Sequence, residues 1–395
     1  MDIALFISDK LSFLWEIGIP FLVALSVLVF VHEWGHYYVA RRCGVRVEVF
    51  SIGFGKELKG WTDKNGTRWK IAAIPLGGYV KMFGEGETVP VEGAENDEEE
   101  RPLTDEEKEV SFYHKRLSQR AAIVFAGPAI NFIFAAVAFA VLFMTIGVAQ
   151  PIEDKPLAVV GAVQPGSAAA EAKLEKGDRI VRLGAEKITY FSDLQRVVRE
   201  SADRPLETVL VRGDKEISLT LTPKPSEIEN ANGETIKVGL IGVMVDPGEL
   251  VYERQDPLTA TWMGVDRTYT MTARIIGFIG NIFTGEQSAK QLGGILRIAA
   301  ISGEVAENGV AAFISFLAIL SINLGLINLF PIPLLDGGHL AFYTIEAIRG
   351  RPLGPVAQEY GFRVGFALIV ALFVFVTWND IVFYKDKIID HIMVM

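Results

Sequence analysis

Four stretches of this chain are apolar almost without interruption, and ordinary globular sequence separates them. Residues 17–40, 121–148, 311–329 and 364–378 read as membrane spans, because about 20 residues of helix cross a bilayer core. Arg41, Arg42 and Arg46 follow the first span, and Lys115, Arg116 and Arg120 precede the second. Arg349, Arg351 and Arg363 lie between the third and fourth. Basic residues mark cytoplasmic loops, so both of these loops are expected inside. Both termini and the region 150–309 are then expected outside the cytoplasm.

Between the first two spans the period changes. Val45, Val47 and Val49 alternate with Arg46 and Glu48, the period of two that marks a strand. Asp63-Lys64-Asn65-Gly66 predicts a hairpin, with Asn65-Gly66 suited to a type I′ turn. Gly53-Phe54-Gly55 and Pro75-Leu76-Gly77-Gly78-Tyr79 are Gly-rich elements that allow close backbone approach. The expectation over about 45–84 is a β-hairpin region, either packed beside the first span or standing in the cytoplasm without a role. The acidic tract 85–109 reads as a solvated, mobile loop. In the second span, Gly127-Pro128 permits close helix packing and Asn131 can bond across helices.

Residues 156–246 have the pattern of a soluble module. A strand over 159–163 leads through Pro165-Gly166-Ser167 into a short helix over 167–173. A turn at Gly177-Asp178 enters a further strand, residues 191–200 have helical periodicity, and strands over 207–212 and 216–222 flank a tight Gly213-Asp214 turn. This order of elements, with Leu174-Glu175-Lys176-Gly177-Asp178-Arg179-Ile180, resembles bacterial PDZ domains. The resemblance implies an α+β fold that binds peptide tails as an added strand, with Gly239-Leu240-Ile241-Gly242 as a candidate carboxylate-accepting loop. In 258–301 aromatic and apolar residues recur among polar ones, which suits amphipathic helices at the membrane surface. Its glycines make this region either a place of movement or a static support. The chain is thus divided into 1–148, 156–246, 250–305 and 311–395.

Composition narrows the picture. The chain has 395 residues, half of them hydrophobic, and the mean hydropathy is +0.31. The net charge of −10 argues against a nucleic-acid partner. A single cysteine, Cys43, excludes an internal disulfide and a thiol-rich zinc site. The first ten residues lack the basic start of a cleavable signal peptide.

The candidate chemistry lies inside the spans. His32-Glu33-Trp34-Gly35-His36 places two imidazoles one helical turn apart on one face. Such a pair can hold zinc, with Glu33 as general base toward a water on the metal. Ionisable groups in a span cost about 2.5–3.5 kcal/mol each on insertion scales, and a metal would satisfy them. The third span ends in Asn328-Leu329-Phe330-Pro331-Ile332-Pro333-Leu334-Leu335-Asp336-Gly337-Gly338-His339. Two prolines two residues apart cannot both continue a regular helix, so the chain must unwind there. Asp336 is then expected on an extended, Gly-flanked segment, free to reach the imidazoles as third ligand, with His339 as a rival.

These two motifs together, with Gly53-Phe54-Gly55, Pro75-Leu76-Gly77-Gly78-Tyr79 and Gly127-Pro128, resemble the site-2 protease family of intramembrane zinc metalloproteases. The single PDZ-like module places the resemblance in the bacterial RseP-like branch. It implies a polytopic α-helical membrane protein with four transmembrane helices, a membrane-associated β-hairpin region and an inserted extracytoplasmic PDZ domain. It implies one zinc ion held by His32, His36 and Asp336, with Glu33 as base. By the same resemblance, Gly53, Phe54, Gly55, Asn323 and Asn328 handle the substrate backbone. The implied partners are the lipid bilayer and single-span membrane substrates, such as anti-sigma factors already cut outside the membrane or signal-peptide remnants. The implied location is the bacterial inner membrane, with the active site toward the cytoplasmic leaflet. Gly293-Gly294-Ile295 departs from a Gly-Pro pattern often seen in relatives. The rival function is a non-catalytic membrane receptor whose PDZ-like module recruits tails.

Overall fold

The computed structural model describes residues 14–84, 88–90, 100–151, 157–229, 235–245 and 250–393. Residues 85–87 and 91–99 of the acidic tract, and the expected module ends at 156 and 246, lie outside the described residues. The rest of the tract is not a loop: residues 88–90 pair with 100–102, and Asp105–Val110 is a helix whose first turn Thr104 and Glu107 cap. Helices of ten residues or more are α1 (Ile19–Arg42), α2 (Leu117–Thr145), α3 (Phe191–Glu200), α4 (Pro257–Thr284), α5 (Ile295–Glu307), α6 (Val310–Leu329), α7 (Asp336–Arg349) and α8 (Pro355–Met393). The chain forms two compact units, one of Met1–Thr145 with Gln255–Met395 and one of Ile146–Arg254.

In the first unit α1, α2, α6 and α8 are long and apolar enough to cross a membrane. Their ends do not coincide with the apolar runs: α2 spans 117–145, earlier at both ends than the expected 121–148. α8 starts at Pro355, nine residues before the expected span, because proline suits the first helical turn and the Arg363–Glu359 pair supports the next two. Helix α1 meets α2 at Gly35, where an added Cβ would overlap the Ala126 carbonyl. Ala135, Ala138, Phe139 and Leu142 of α2 form a core with Ala318 and Ile322 of α6. Met271 and Ile275 of α4 pack against the same cluster. The stretch expected at the membrane surface thus forms a 28-residue helix whose Ala260, Gly264 and Thr268 are buried. Gly264 lies against the Ala136–Ala140 backbone of α2, where a Cβ would overlap the Ala136 carbonyl. Trp262, Tyr269 and Phe283 are left exposed on the outer side of α4.

The far end of α8 carries a polar clasp that its apolar pattern conceals. Asp380 is fully buried and accepts the N–H groups of Gly294, Leu296 and Arg297 at 2.9–3.1 Å. One carboxylate therefore caps the first turn of α5, where free amides and the helix dipole favour negative charge. Asn379 donates to the Ala289 and Leu292 carbonyls beside it.

Strands β1 (Val47–Thr62) and β2 (Arg68–Met82) are antiparallel, but each is bent. Residues 49–52 of β1 pair with 68–71 of β2 on one side and with 78–81 on the other, while 57–62 return to 68–72. Four segments therefore lie side by side, and 57–62 and 78–82 form the two edges. The bend in β1 falls at Gly53 and Gly55, whose φ of +89° and +84° only glycine adopts freely. The turn at Asp63 is not type I′, which needs positive φ at both central residues. Gly66 alone has it, at +83°, and the closing pair is Asp63–Thr67. The Asp63 carboxylate accepts the amides of Asn65 and Thr67 and so selects a three-residue loop instead.

The second unit contains β3 (Val148–Pro151), β4 (Val160–Val163), β5 (Arg179–Leu183), β6 (Glu186–Lys187), β7 (Leu206–Arg212), β8 (Lys215–Leu221), β9 (Lys224–Glu229), β10 (Thr235–Leu240), β11 (Val243–Val245) and β12 (Leu250–Glu253). One sheet has the order β8-β7-β5-β6, and β4–β11, β9–β10 and β3–β12 form separate antiparallel pairs. Ile180, Leu183, Leu194, Leu210 and Leu221 centre its core. The Leu174–Asp178 turn is locked by Asp178, which accepts two bonds from Arg212 at 2.7 and 2.8 Å and one from the Glu175 amide. Burial would raise the Asp178 carboxyl, but these bonds outweigh it and hold it below the usual carboxylate range.

Candidate metal centre

His32 and His36 stand one turn apart on α1, with their Nε2 atoms 3.3 Å from each other. Oδ2 of Asp336 lies 3.2 Å from the first and 3.5 Å from the second. Zinc bonds of 2.0–2.1 Å at tetrahedral angles set ligand atoms about 3.3 Å apart, so these three atoms match three corners of a zinc site. That Oδ2 is buried and accepts no hydrogen bond among the described residues, a costly state that a cation would relieve. The donor set of two imidazoles and a carboxylate, with one corner left open, is the chemistry of a catalytic zinc site.

Asp336 does not lie on an extended segment. It is the first residue of α7, and only the short stretch before it, through Pro331 and Pro333, is non-helical. Gly337 and Gly338 account for the difference. A Cβ on either would overlap the carbonyls of Leu329, Phe330 or Ile332, so only glycines let a helix start so close to the end of α6. A carboxylate also suits a helix N-terminus.

Helix α2 orients the imidazoles. Nδ1 of His36 is 2.9 Å from the Ile123 carbonyl, which places the proton there and leaves Nε2 for a metal. Nδ1 of His32 is 3.0 Å from the amide group of Asn131. With a metal on Nε2, that ring nitrogen carries a proton and calls for the amide oxygen, which a half-turn of the Asn131 side chain supplies. Ser321 donates to the Asn131 carbonyl and ties α6 into the same arrangement.

Both rings sit over Gly127, where a Cβ would overlap Nε2 of His36 and lie 2.9 Å from Cε1 of His32. Gly127→Ala is therefore expected to lower zinc affinity about tenfold, the usual scale for disturbing a ligand's support. Chelator competition on the purified variant measures it. An unchanged affinity would mean that the helices can part without moving the rings.

Glu33 lines the same cavity, of about 570 Å³, as the two histidines and Asp336. The Val80 backbone of β2 approaches its carboxylate. Gly78 lets the edge segment 78–82 lie against α1, since a Cβ there would meet Val29 at 2.6 Å and Glu33 at 3.4 Å. Gly78, Tyr79, Val80 and Asn328 line the cavity; Gly53, Phe54, Gly55 and Asn323 are not among its lining residues. Phe54 stacks on Tyr79 at 6.0 Å, so Gly53-Phe54-Gly55 touches the edge segment rather than the metal cluster. The Asn323 amide donates to the Ile319 carbonyl of its own helix. His339 lines the cavity with its ring 5.6 Å from that of Phe362, outside the three-ligand group. In the second unit, Gly239 and Leu240 end β10, and the carbonyls of Ile241 and Gly242 accept the amides of Ala169 and Gln164. The sequence reading missed the Ile123 carbonyl, the buried Arg120–Glu346 pair and the edge role of 78–82. No local motif announces them; only the pre-span basic cluster pointed near Arg120.

Residues 20–372 match the model of peptidase family M50. A protein of Agrobacterium fabrum bearing a zinc-metalloprotease name is 45% identical over 375 residues, covering 94% of this chain and 97% of its own length. The metalloprotease MmpA of Caulobacter vibrioides is 38% identical over 92% of this chain and 94% of its own. The regulator of sigma-E protease RseP of Escherichia coli is 35% identical, over 94% of this chain and 99% of its own.

Proposed function

The chain belongs to peptidase family M50 and is a zinc metalloprotease, and from that premise we propose that it cuts single-span membrane proteins among its own apolar helices. One observation carries the reading. Three donor atoms 3.2–3.5 Å apart stand beside a glutamate, at a cavity walled by helices that are apolar enough to span a bilayer. A receptor needs no such cluster.

His32, His36 and Asp336 would hold the metal, with the Ile123 carbonyl of α2 fixing the His36 tautomer and Asn131 placed at Nδ1 of His32. Zinc, when bound, supplies a Lewis acid that polarises the scissile carbonyl and brings the pKa of a bound water to about 7. Glu33 takes the proton from the attacking water and later returns it to the leaving amine. Asn328, which lines the cavity, donates toward the developing oxyanion. A substrate helix hides its carbonyls in internal hydrogen bonds, so it must be opened before it is cut. The edge segment 78–82 of β2 stands beside Glu33 and supports an opened substrate adding there as a further strand. Gly53-Phe54-Gly55 acts through the bend that sets this edge, by way of Phe54 on Tyr79.

The basic residues around 41–46, 115–120 and 349–363 support cytoplasmic loops at those places. The metal centre then faces the cytoplasmic leaflet, with the second unit outside, where it captures peptide tails near Gly239–Gly242. The substrate class is anti-sigma factors after an outer cut, or signal-peptide remnants. The Escherichia coli relative's name, regulator of sigma-E protease, supports the first.

The test uses purified full-length protein in detergent and a reporter with one transmembrane helix. The protein is expected to carry about one zinc per chain and to cut the reporter within its helix. Chelation should stop the reaction and added zinc restore it. Zinc-loaded protein that cuts unfolded soluble chains but leaves the reporter intact would remove the proposed substrate class.

A further inference from the structure

Two buried charges in the cavity have no part in the chemistry above. Arg120, at the start of α2, and Glu346, late in α7, form an ion pair at 2.6 Å with side chains only 11% and 16% exposed. The guanidinium also lies 5.7 Å from the ring centre of Tyr113 and 5.0 Å from that of Tyr343. A buried ion pair is weak evidence for stability, because desolvation offsets its attraction; its best-attested use is to set the register of two elements.

The register in question is that of α7. Its first residue is Asp336, and Glu346 lies ten residues further on, about 15 Å along the helix. Gly337 and Gly338 press the start of α7 against the backbone of Leu329–Pro333, which fixes one point of the helix but not its tilt. A pair about 15 Å from that point is where a tilt has the most leverage. Its partner residue is equally informative. Arg120 precedes by three residues Ile123, whose carbonyl orients His36, and Asn131 of the same helix meets His32. Helix α2 thus touches both imidazoles directly and reaches the element bearing the carboxylate through Arg120 and Glu346.

We propose that Arg120 and Glu346 are positioning residues that hold α7 in the register in which Asp336 meets His32 and His36. The clamp rests on the zinc reading of that cluster, and its failure is separable from that reading's. Parent protein without zinc would sink the reading, whereas parent protein with zinc and unaffected clamp variants would sink the clamp.

The experiment compares full-length parent protein with Glu346→Gln, Arg120→Lys and the exchanged double variant Arg120→Glu with Glu346→Arg. Chelator competition gives zinc affinity, cleavage of the single-span reporter gives kcat and KM, and melting of the metal-free protein gives Tm. Glu346→Gln is expected to lose about tenfold in zinc affinity, with kcat reduced and KM unchanged. Metal-free Tm should stay near the parent's. Arg120→Lys, which keeps the charge, should lose less, and the exchanged pair should recover part of what Arg120→Glu or Glu346→Arg alone loses. A lower Tm with parental zinc affinity would make the pair a bundle support and overturn the proposal. Failure of Glu346→Gln and Arg120→Lys to fold would overturn it on the same ground.

Discussion

Glu33→Gln is expected to cut the rate of reporter cleavage by roughly 10³-fold while zinc content stays at the parental level. The amide keeps the size of the side chain and its place beside the Val80 backbone. It cannot accept the proton of the attacking water at neutral pH, so only the transfer step is lost. Glu33 offers no atom to the three-ligand group, which is why metal content should not follow activity. KM should change little, because the groups that hold the substrate are untouched. Retained activity would take Glu33 out of the reaction, and loss of zinc would make it part of the metal's support.

Asp336→Asn should do the reverse, with metal and activity falling together. The change replaces an anionic ligand by a weak neutral one at the site where Oδ2 stands 3.2 and 3.5 Å from the two imidazoles. With two imidazoles left to hold the ion, zinc affinity should fall by about 10²-fold or more, beyond what losing a group that only orients a ligand costs. His339→Ala should keep the metal, since that ring packs against Phe362 and lies outside the ligand group. Zinc per chain measured in both variants side by side decides the third ligand. If His339→Ala loses zinc while Asp336→Asn keeps it, the assignment is reversed.

Local periodicity carries a long way in this chain. The four apolar helices were legible because a bilayer demands a continuous apolar run, and the run is a property of consecutive residues. His32 and His36 could be paired because a helix fixes their spacing within one turn. Pro331 and Pro333 announced a break after α6 for an equally local reason, the lost amides and the backward clash.

The remainder depended on contacts between distant segments. Asp336 starts a helix rather than lying extended because Gly337 and Gly338 pack against the carbonyls of a segment that the sequence places next to them but does not orient. The turn after Asp63 takes three residues because that carboxylate captures two amides, which outweighs the type I′ preference of Asn65-Gly66. Segment 78–82 becomes an edge beside Glu33 only because both strands bend and fold back on each other. Asp380 looks like the polar end of a span until the amides of α5 close around it. By itself the sequence determined which segments are apolar helices and which donors share a helical face, since both follow from neighbours along the chain. Tertiary structure alone decided that Ile123, Asn131 and Gly127 of α2 frame the two imidazoles, because a carbonyl, an amide and a missing side chain leave no pattern until another helix is laid against them.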